Sequence, residues 1–169
     1  LLHWRGSEPF AETIAAFETL KAQGKIRHWG VSNLDTEDLQ EWVDTPGGAA
    51  VAVDQVLYNL TRRGIEWDLL PWCQTRRIPV MAYSPIEQAR LLRHSGLCEL
   101  AGRLGMTPAQ VALAWLLQRD AVIAIPKTST RKHLEENFAA LRFSLEADVV
   151  AELDRLFPPP RRATPLAML

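Results

Sequence analysis

A lysine and three hydroxyl side chains lie between an apolar segment and an amphipathic helix near the C-terminal end of the sequence. Residues 122–125 are predicted to form a buried strand, and the polar residues that follow are Lys127, Thr128, Ser129 and Thr130. The first turn of a helix carries unpaired backbone N–H groups and the positive end of the dipole, so these residues suit an anion such as phosphate. An ordinary capped helix with a solvated lysine explains them equally well.

The spacing of apolar residues predicts five strand–helix units that would position this segment and its equivalents. The predicted strands are residues 1–4, 26–31, 50–56, 79–83 and 122–125. The predicted helices are residues 9–23, 35–43, 66–76, 96–104, 107–118, 131–141 and a last helix that is capped by Ser144 and ends at Phe157. Pro71 must lie in the first turn of its helix or at a kink. In the helix over 131–141, Leu134, Phe138 and Leu141 form the face that is expected to point inward. The Thr107-Pro108-Ala109-Gln110 start is a capping box with proline at the first helical position.

Consecutive strand–helix units imply a parallel sheet with right-handed crossovers, which is either an open doubly wound sheet or part of a closed barrel. No strand is followed by a GxGxxG motif, and this favours the barrel. A complete eight-unit barrel takes roughly 250 residues. We therefore expect residues 1–157 to form the last five units of a (β/α)8 TIM-barrel-type fold with its C-terminal helix, followed by an extended, proline-rich tail over residues 158–169.

Polar residues stand where each predicted strand ends, which is the edge of a barrel that carries its chemistry. They are His3, Ser32, Asn33, Gln55, Tyr83, Ser84, Lys127 and Thr128. Amides, an aromatic ring and a phosphate anchor on one edge suit a flat polar heteroaromatic ligand joined to phosphate, and a nicotinamide dinucleotide has this form. Alternatively, each residue ends its strand by hydrogen bonding in the turn.

Five motifs occur in an order that resembles the C-terminal part of an aldo-keto reductase. They are Leu2-His3-Trp4, Gly24-Lys25-Ile26-Arg27 with Gly30-Val31-Ser32-Asn33, Asp54-Gln55-Val56 with Tyr58, Ala82-Tyr83-Ser84-Pro85, and Ile125-Pro126-Lys127 with Glu136-Asn137. The resemblance spans nearly all 169 residues. It implies a (β/α)8 barrel that reduces aldehydes or ketones by hydride transfer from NADPH, with NADP(H) as the cofactor and no metal.

The resemblance also implies a role for individual residues. His3 is similar to the catalytic histidine that orients the substrate carbonyl, and Tyr83 to the ring that stacks under the nicotinamide. Ser32, Asn33 and Gln55 match the carboxamide ligands of the family, whereas Ser84 and Ile86 would help to hold the pyrophosphate. The residues that match the site for the 2′-phosphate and adenine are Lys127, Thr128, His133, Glu136 and Asn137.

Two departures from the family pattern stand out. The family uses a tyrosine as general acid, assisted by a lysine and an aspartate, and all three belong to barrel units before those predicted here. Tyr58 and Tyr83 are the only tyrosines, and neither matches that position. We therefore expect the isolated 169-residue chain to be inactive. His133 stands where an arginine often clamps the 2′-phosphate, and because histidine exchanges a proton near neutral pH, such a contact would depend on pH.

Composition narrows the class of partner. The formal net charge is -1 with 23% charged residues, so the chain has no basic excess to attract nucleic acid or an anionic membrane. No apolar run has the length of a membrane span, and Cys73 and Cys98 are both expected to be buried thiols in a cytoplasmic protein. The expected partner is a small aldehyde or ketone. A complete protein is expected to be a monomer, while a fragment could associate with itself.

Two other functions fit the same sequence. The chain could be a catalytically inactive nucleotide-binding or regulatory module that keeps the cofactor site. It could also be a structural barrel fragment that functions only when assembled with other chains.

Overall fold

Four short parallel strands form one sheet, with helices connecting them, in a computed structural model that describes residues 1–169. The strands are β1 (Val31–Ser32), β2 (Asp54–Leu57), β3 (Val80–Tyr83) and β4 (Val122–Ala124), and they lie side by side in chain order. The helices are α1 (Phe10–Ala22), α2 (Thr36–Asp44), α3 (Leu69–Arg76), α4 (Ser95–Arg103), α5 (Pro108–Leu117), α6 (Arg131–Ala139) and α7 (Ala147–Leu156). None of the seven helices combines the length and apolar composition that a membrane span requires.

Local capping signals set where the helices begin. The Asp35 carboxylate accepts a hydrogen bond from the Asp38 N–H at 2.9 Å and so caps α2. The side chains of Thr107 and Gln110 each bond to the other's backbone N–H, which completes the capping box of α5 with Pro108 as its first residue. Pro71 lies in the first turn of α3, where its lack of an N–H costs nothing. The capping box of Thr107 and Gln110 and a first-turn position for Pro71 were predicted from the sequence, and both are confirmed.

Aromatic rings fill the core between the sheet and the helices. Trp42 lies between Phe10 and Trp29, with ring centroids 4.8 Å and 5.8 Å away, and the rings of Tyr58 and Trp115 pack 5.4 Å apart. All five residues belong to a cluster of 30 buried side chains. This cluster holds the helices on the sheet and so places the ends of the strands.

The predicted first strand is reduced to one bridge between Leu2 and Val31, where the Leu2 N–H donates to the Gly30 carbonyl at 2.9 Å. Strands β1, β2 and β3 begin later than predicted, most clearly residues 26–31, of which only Val31 is in β1, whereas β4 begins at Val122 as predicted and ends one residue early. Apolar composition marks burial, whereas a strand requires paired neighbours. A Cβ atom at Gly30 would lie 2.5 Å from the Val53 carbonyl oxygen, so only glycine permits this approach of the chain.

Two predictions about burial at the far edge of the sheet are wrong. The side chains of the predicted helix 131–141 that are expected to face inward, Leu134 and Phe138 in α6 and Leu141 just after it, are 60%, 63% and 60% exposed. Ile123 in β4 is 44% exposed, although a buried strand was predicted. The physical reason is that β4 has a paired neighbour on one side only, so no further layer of residues 1–169 covers this edge.

The last helix and one cysteine also differ from the sequence predictions. Helix α7 begins at Ala147 with Glu146 before it and no side-chain cap, because Ser144 lies outside the helix beside the Gln118 amide, 3.4 Å away. Cys98 is exposed, since it lies on the outer face of α4, while Cys73 is fully buried. Residues 158–169 contain neither helix nor strand, and the division of the chain at residue 157 stays a prediction.

Candidate active site and cofactor cleft

The ends of β1 and β3 bring Asn33 and Tyr83 together. The Tyr83 hydroxyl donates to Asn33 Oδ1 at 3.4 Å, and Asn33 Nδ2 donates to Ser32 Oγ at 3.1 Å. Asn33 has a φ of 58°, in the left-handed region that asparagine tolerates better than most residues. This turn directs the amide to the edge of the sheet.

Backbone groups of His3 and Gln55 complete this first cluster. Asn33 Nδ2 donates to the His3 carbonyl at 3.2 Å, and Ser32 Oγ donates to the Gln55 carbonyl at 2.7 Å. The imidazole of His3 is exposed and packs 4.7 Å from the Trp4 ring. The structure therefore brings together the five residues that the sequence placed around the reacting end of a ligand: His3, Ser32, Asn33, Gln55 and Tyr83.

Burial raises the pKa of the Tyr83 hydroxyl, and the negative charge of Glu87 adds to this effect. The backbone N–H of Leu169 acts in the opposite direction, which shows that the C-terminal tail reaches the edge of the sheet beside Tyr83. A hydroxyl with a raised pKa stays protonated near neutral pH. Tyr83 can thus donate a hydrogen bond while its ring offers an apolar face.

A second cluster forms a cleft of about 340 Å³ between the loop after β3 and the start of α6. Seven of its lining residues were predicted from the sequence, namely Ile86, Lys127, Thr128, Ser129, His133, Glu136 and Asn137. The volume lies in the range of small-molecule sites. The remaining predicted residue, Ser84, lies in the loop that joins the two clusters.

The N-terminus of α6 is partly occupied by its own cap. Thr130 Oγ1 accepts a hydrogen bond from the His133 N–H at 3.3 Å, so Thr130 rather than an external anion satisfies this donor. Lys127 is exposed, and Thr128 Oγ1 accepts from the Thr130 N–H at 3.2 Å. The cation in this cleft is therefore free to meet a ligand, while the helix start is held in a fixed shape.

Several lining residues of the cleft were not predicted from the sequence. They are Ala89, Leu92, Thr107, Pro108 and Ala109. The N-terminus of α5 enters the cleft because Gln110 Nε2 donates to the Glu136 carbonyl at 3.3 Å and ties α5 to α6. No local pattern marks this contact, since the two residues are far apart in the sequence.

The loop after β3 holds an unusual backbone conformation. Ser84, Glu87, Gln88 and Ala89 have φ values of 48°, 50°, 52° and 67°, although none of them is glycine. Each such residue costs roughly 1–2 kcal/mol. The surrounding structure must supply this energy, and strained segments of this kind concentrate at ligand sites.

Tyr58 does not belong to either cluster. It is fully buried, and its hydroxyl donates to Glu66 Oε1 at 2.8 Å. Burial raises its pKa strongly, and the carboxylate of Glu66 raises it further. No group of three or more His, Cys, Asp or Glu side chains is arranged to hold a metal ion.

Comparison with known proteins places this arrangement in a family. The model of the aldo/keto reductase family matches residues 1–157. Methylglyoxal reductase YeaE of Escherichia coli is 50% identical over 174 aligned residues, which cover 100% of this chain and 61% of that protein. Glyoxal reductase of Bacillus subtilis is 32% identical, over 92% of this chain and 55% of its own length.

Solved structures agree with the fold. An aldo/keto reductase from Klebsiella pneumoniae, crystallised with NADP and acetate, superposes with a TM-score of 0.97 at 51% identity, over 99% of this chain and 61% of its own. The thermostable aldo-keto reductase Tm1743 gives a TM-score of 0.84 at 37% identity, over 91% of this chain and 57% of its own.

The chain thus spans about 61% of the length of its relatives from Escherichia coli and Klebsiella pneumoniae. The prediction that it forms part of a TIM-barrel-type α/β fold is confirmed. With its matched residues, its parallel sheet and the motifs at the ends of its strands, the chain belongs to the aldo/keto reductase family.

Proposed function

We propose that residues 1–169 form the cofactor-binding part of an NADP(H)-dependent oxidoreductase that reduces a small aldehyde or ketone. The observation that carries this proposal is the placement of two clusters on one edge of the sheet. One holds the Asn33 amide against Tyr83, at 3.4 Å, and the other is a cleft that contains Lys127. Membership of the family and the NADP and NADPH complexes of the Klebsiella pneumoniae relatives support it.

The donor set of the first cluster fits a nicotinamide. A carboxamide presents one acceptor and two donors, and Ser32, Asn33 and Gln55 supply complementary hydroxyl and amide groups. The half-buried ring of Tyr83 offers a flat surface on which a heteroaromatic ring can stack. When bound, the nicotinamide supplies or accepts the hydride, and these residues determine which face of it meets the substrate.

The donor set of the second cluster fits the phosphate-bearing end of the same cofactor. Lys127, Thr128 and His133 can bind a 2′-phosphate, whereas Glu136 and Asn137 line the cleft further along α6 and can bind the adenine. Ser84 and Ile86 lie in the connecting loop and can hold the pyrophosphate between the two clusters. His3, exposed at the edge of the sheet, is proposed to orient the substrate carbonyl.

Completion of the reduction requires a proton donor that these residues do not supply. The Tyr58 hydroxyl donates a hydrogen bond to Glu66 inside the core, and Tyr83 is proposed to stack under the nicotinamide. General acid catalysis contributes about 10²–10⁴-fold to a rate. We propose that the 169-residue chain alone shows only background reduction of a test carbonyl such as methylglyoxal.

A chimera tests this proposal. The part of the Klebsiella pneumoniae chain that residues 1–169 do not match would be placed before Leu1, and NADPH oxidation with methylglyoxal would be measured for the chimera and for the 169-residue chain. We expect activity in the chimera only. Activity in the shorter chain would contradict the proposal that it lacks a proton donor. A chimera that binds NADPH without turnover would favour the alternative of an inactive nucleotide-binding module.

Lys127→Ala in the chimera tests the choice of cofactor. A charge-assisted contact with phosphate contributes about 1.5–3 kcal/mol, so the Kd for NADPH should rise about ten- to hundredfold. The Kd for NADH should change little, because NADH lacks the 2′-phosphate. Both constants follow from titration of tryptophan fluorescence. Lys25→Ala is the matched control, because Lys25 is exposed and does not line the cleft. An equal loss of affinity for NADPH and NADH would contradict the assignment of Lys127 to the 2′-phosphate.

A further inference from the structure

The loop after β3 is held from outside the cleft by a carboxylate. Glu87 is only 5% exposed, and both of its oxygens accept hydrogen bonds. Arg62 donates to Oε1 through Nε at 3.1 Å and Nη2 at 2.8 Å, and Asn59 Nδ2 donates to Oε2 at 2.8 Å. Burial raises the pKa of Glu87, but these hydrogen bonds outweigh it and lower the pKa overall, so the group is ionised.

Asn59 connects this carboxylate to the backbone of the same loop. Its Nδ2 also donates to the Ser84 carbonyl at 2.9 Å. Its Oδ1 accepts from both the N–H and the hydroxyl of Thr61, at 2.9 Å and 2.8 Å, which fixes the orientation of the amide. Because Asn59 follows β2, the set of Asn59, Arg62 and Glu87, termed here the loop clasp, ties the loop after β3 to the loop after β2.

The loop clasp and the cleft lie on different sides of the loop. Ile86 and Ala89 line the cleft, whereas Glu87 does not line it and instead lies beside Arg62 and Arg90 in a separate depression. Glu87 thus acts on the cleft only through the backbone between Ile86 and Ala89. That backbone includes Gln88, one of the residues in the left-handed region, which the loop would leave if it were not held.

We infer that Glu87 is a positioning residue that, with Asn59 and Arg62, holds the strained loop as one wall of the cofactor cleft and thereby limits the rate at which the cofactor leaves. This inference rests on the proposed function, because it takes NADPH as the occupant of the cleft. It adds a determinant of cofactor residence that does not touch the cofactor. Preorganised walls favour binding because less ordering is required when the ligand arrives.

The test uses the chimera described above and measures NADPH dissociation by stopped-flow fluorescence, together with the thermal midpoint without nucleotide. Glu87→Ala should raise the dissociation rate constant about tenfold, since the loop then leaves its bound shape more often. The matched control Glu99→Ala, at an exposed site on α4, should leave it unchanged.

A second substitution separates positioning from a general loss of structure. Gln88 is exposed, does not line the cleft and has a φ of 52°, where glycine is unstrained. The double variant with Glu87→Ala and Gln88→Gly should therefore release NADPH about threefold more slowly than Glu87→Ala alone, because the loop then needs less external support.

The outcomes separate this inference from the proposed function. A wild-type protein that binds NADPH, with a Glu87→Ala dissociation rate within about twofold of it, overturns the role of the loop clasp and leaves the cofactor assignment intact. A large rate increase that Gln88→Gly does not reduce also overturns it, because the carboxylate would then act in another way. A wild-type protein that fails to bind NADPH overturns both.

Discussion

A buried carboxyl group next to Gln55 makes the stability of this protein depend on pH. Asp54 is fully buried in β2, and neither of its oxygens has a hydrogen-bond partner of acceptable geometry. Burial raises the pKa of Asp54 from 3.8 to about 8, and the backbone N–H of Leu34 offsets only part of this effect. The folded protein therefore keeps this carboxyl protonated at neutral pH.

The sign of the effect follows from proton uptake. In the unfolded chain the carboxyl group of Asp54 is ionised above about pH 4, whereas in the folded chain it stays neutral up to about pH 8. Folding thus takes up a proton across this window. The contribution of protonated Asp54 to the free energy of unfolding is fully present below pH 4 and is lost progressively as the pH rises to about 8. Above that pH, Asp54 causes no further change in stability.

The pKa difference bounds the size of the effect. Between 3.8 and about 8 it is roughly four pH units, and at about 1.4 kcal/mol for each unit the upper limit is about 6 kcal/mol. Entry of water and relaxation around the carboxyl group reduce such values. We expect Asp54→Asn to gain about 2–4 kcal/mol relative to wild type between pH 4 and pH 8.

Urea unfolding at a series of pH values between 4 and 8 measures this change in the free energy of unfolding. Subtraction of the wild-type profile from that of Asp54→Asn cancels the other titrating groups. Asp120→Asn is the matched control, because Asp120 is exposed in the turn before β4 and should give a profile parallel to wild type. A parallel profile for Asp54→Asn as well would refute the argument that burial keeps this carboxyl protonated.

Two further substitutions test the assignment of roles in the chimera. His3→Ala should lower kcat/KM for carbonyl reduction about 10²-fold or more and leave the Kd for NADPH within about twofold, because His3 lies beside Asn33 and does not line the cleft around Lys127. A matching loss of NADPH affinity would show that the role of His3 is structural. Tyr58→Phe should leave kcat unchanged and cost about 0.5–1.5 kcal/mol in urea unfolding, because it removes only the bond to Glu66. A kcat loss of about 10²-fold or more would instead identify Tyr58 as the proton donor.

Helix starts and the ends of strands could be predicted from the sequence because their signals are local. The capping box of Thr107 and Gln110 acts over three residues, and its geometry is the same in any protein. Likewise Asn33 follows β1 and Tyr83 is the last residue of β3, and in a parallel sheet such positions meet at one edge. The strand ends therefore predict the residues of the first cluster, whereas Ile86, His133, Glu136 and Asn137 follow only from the family resemblance, and the roles of all these residues stay predictions.

Tertiary structure alone decided burial at the edge of the sheet. The spacing of Leu134, Phe138 and Leu141 predicts one apolar face over α6 and the turn after it, but exposure depends on whether another element packs against that face. The same holds for Cys98, whose apolar neighbours in the sequence indicated burial that the outer face of α4 does not provide. The spacing of apolar residues defines one face of a helix, but it does not determine whether another element packs against that face.

The sequence by itself determined the order of the units, the capped helix starts and the polar residues that follow the strands, since each of these depends on residues only a few positions apart. Only the tertiary structure decided that Asn59 and Glu87, which lie 28 positions apart, share a hydrogen bond and hold a left-handed loop. None of the residues in that loop is a glycine that would mark a left-handed turn, so its conformation follows from long-range contacts and not from local preference.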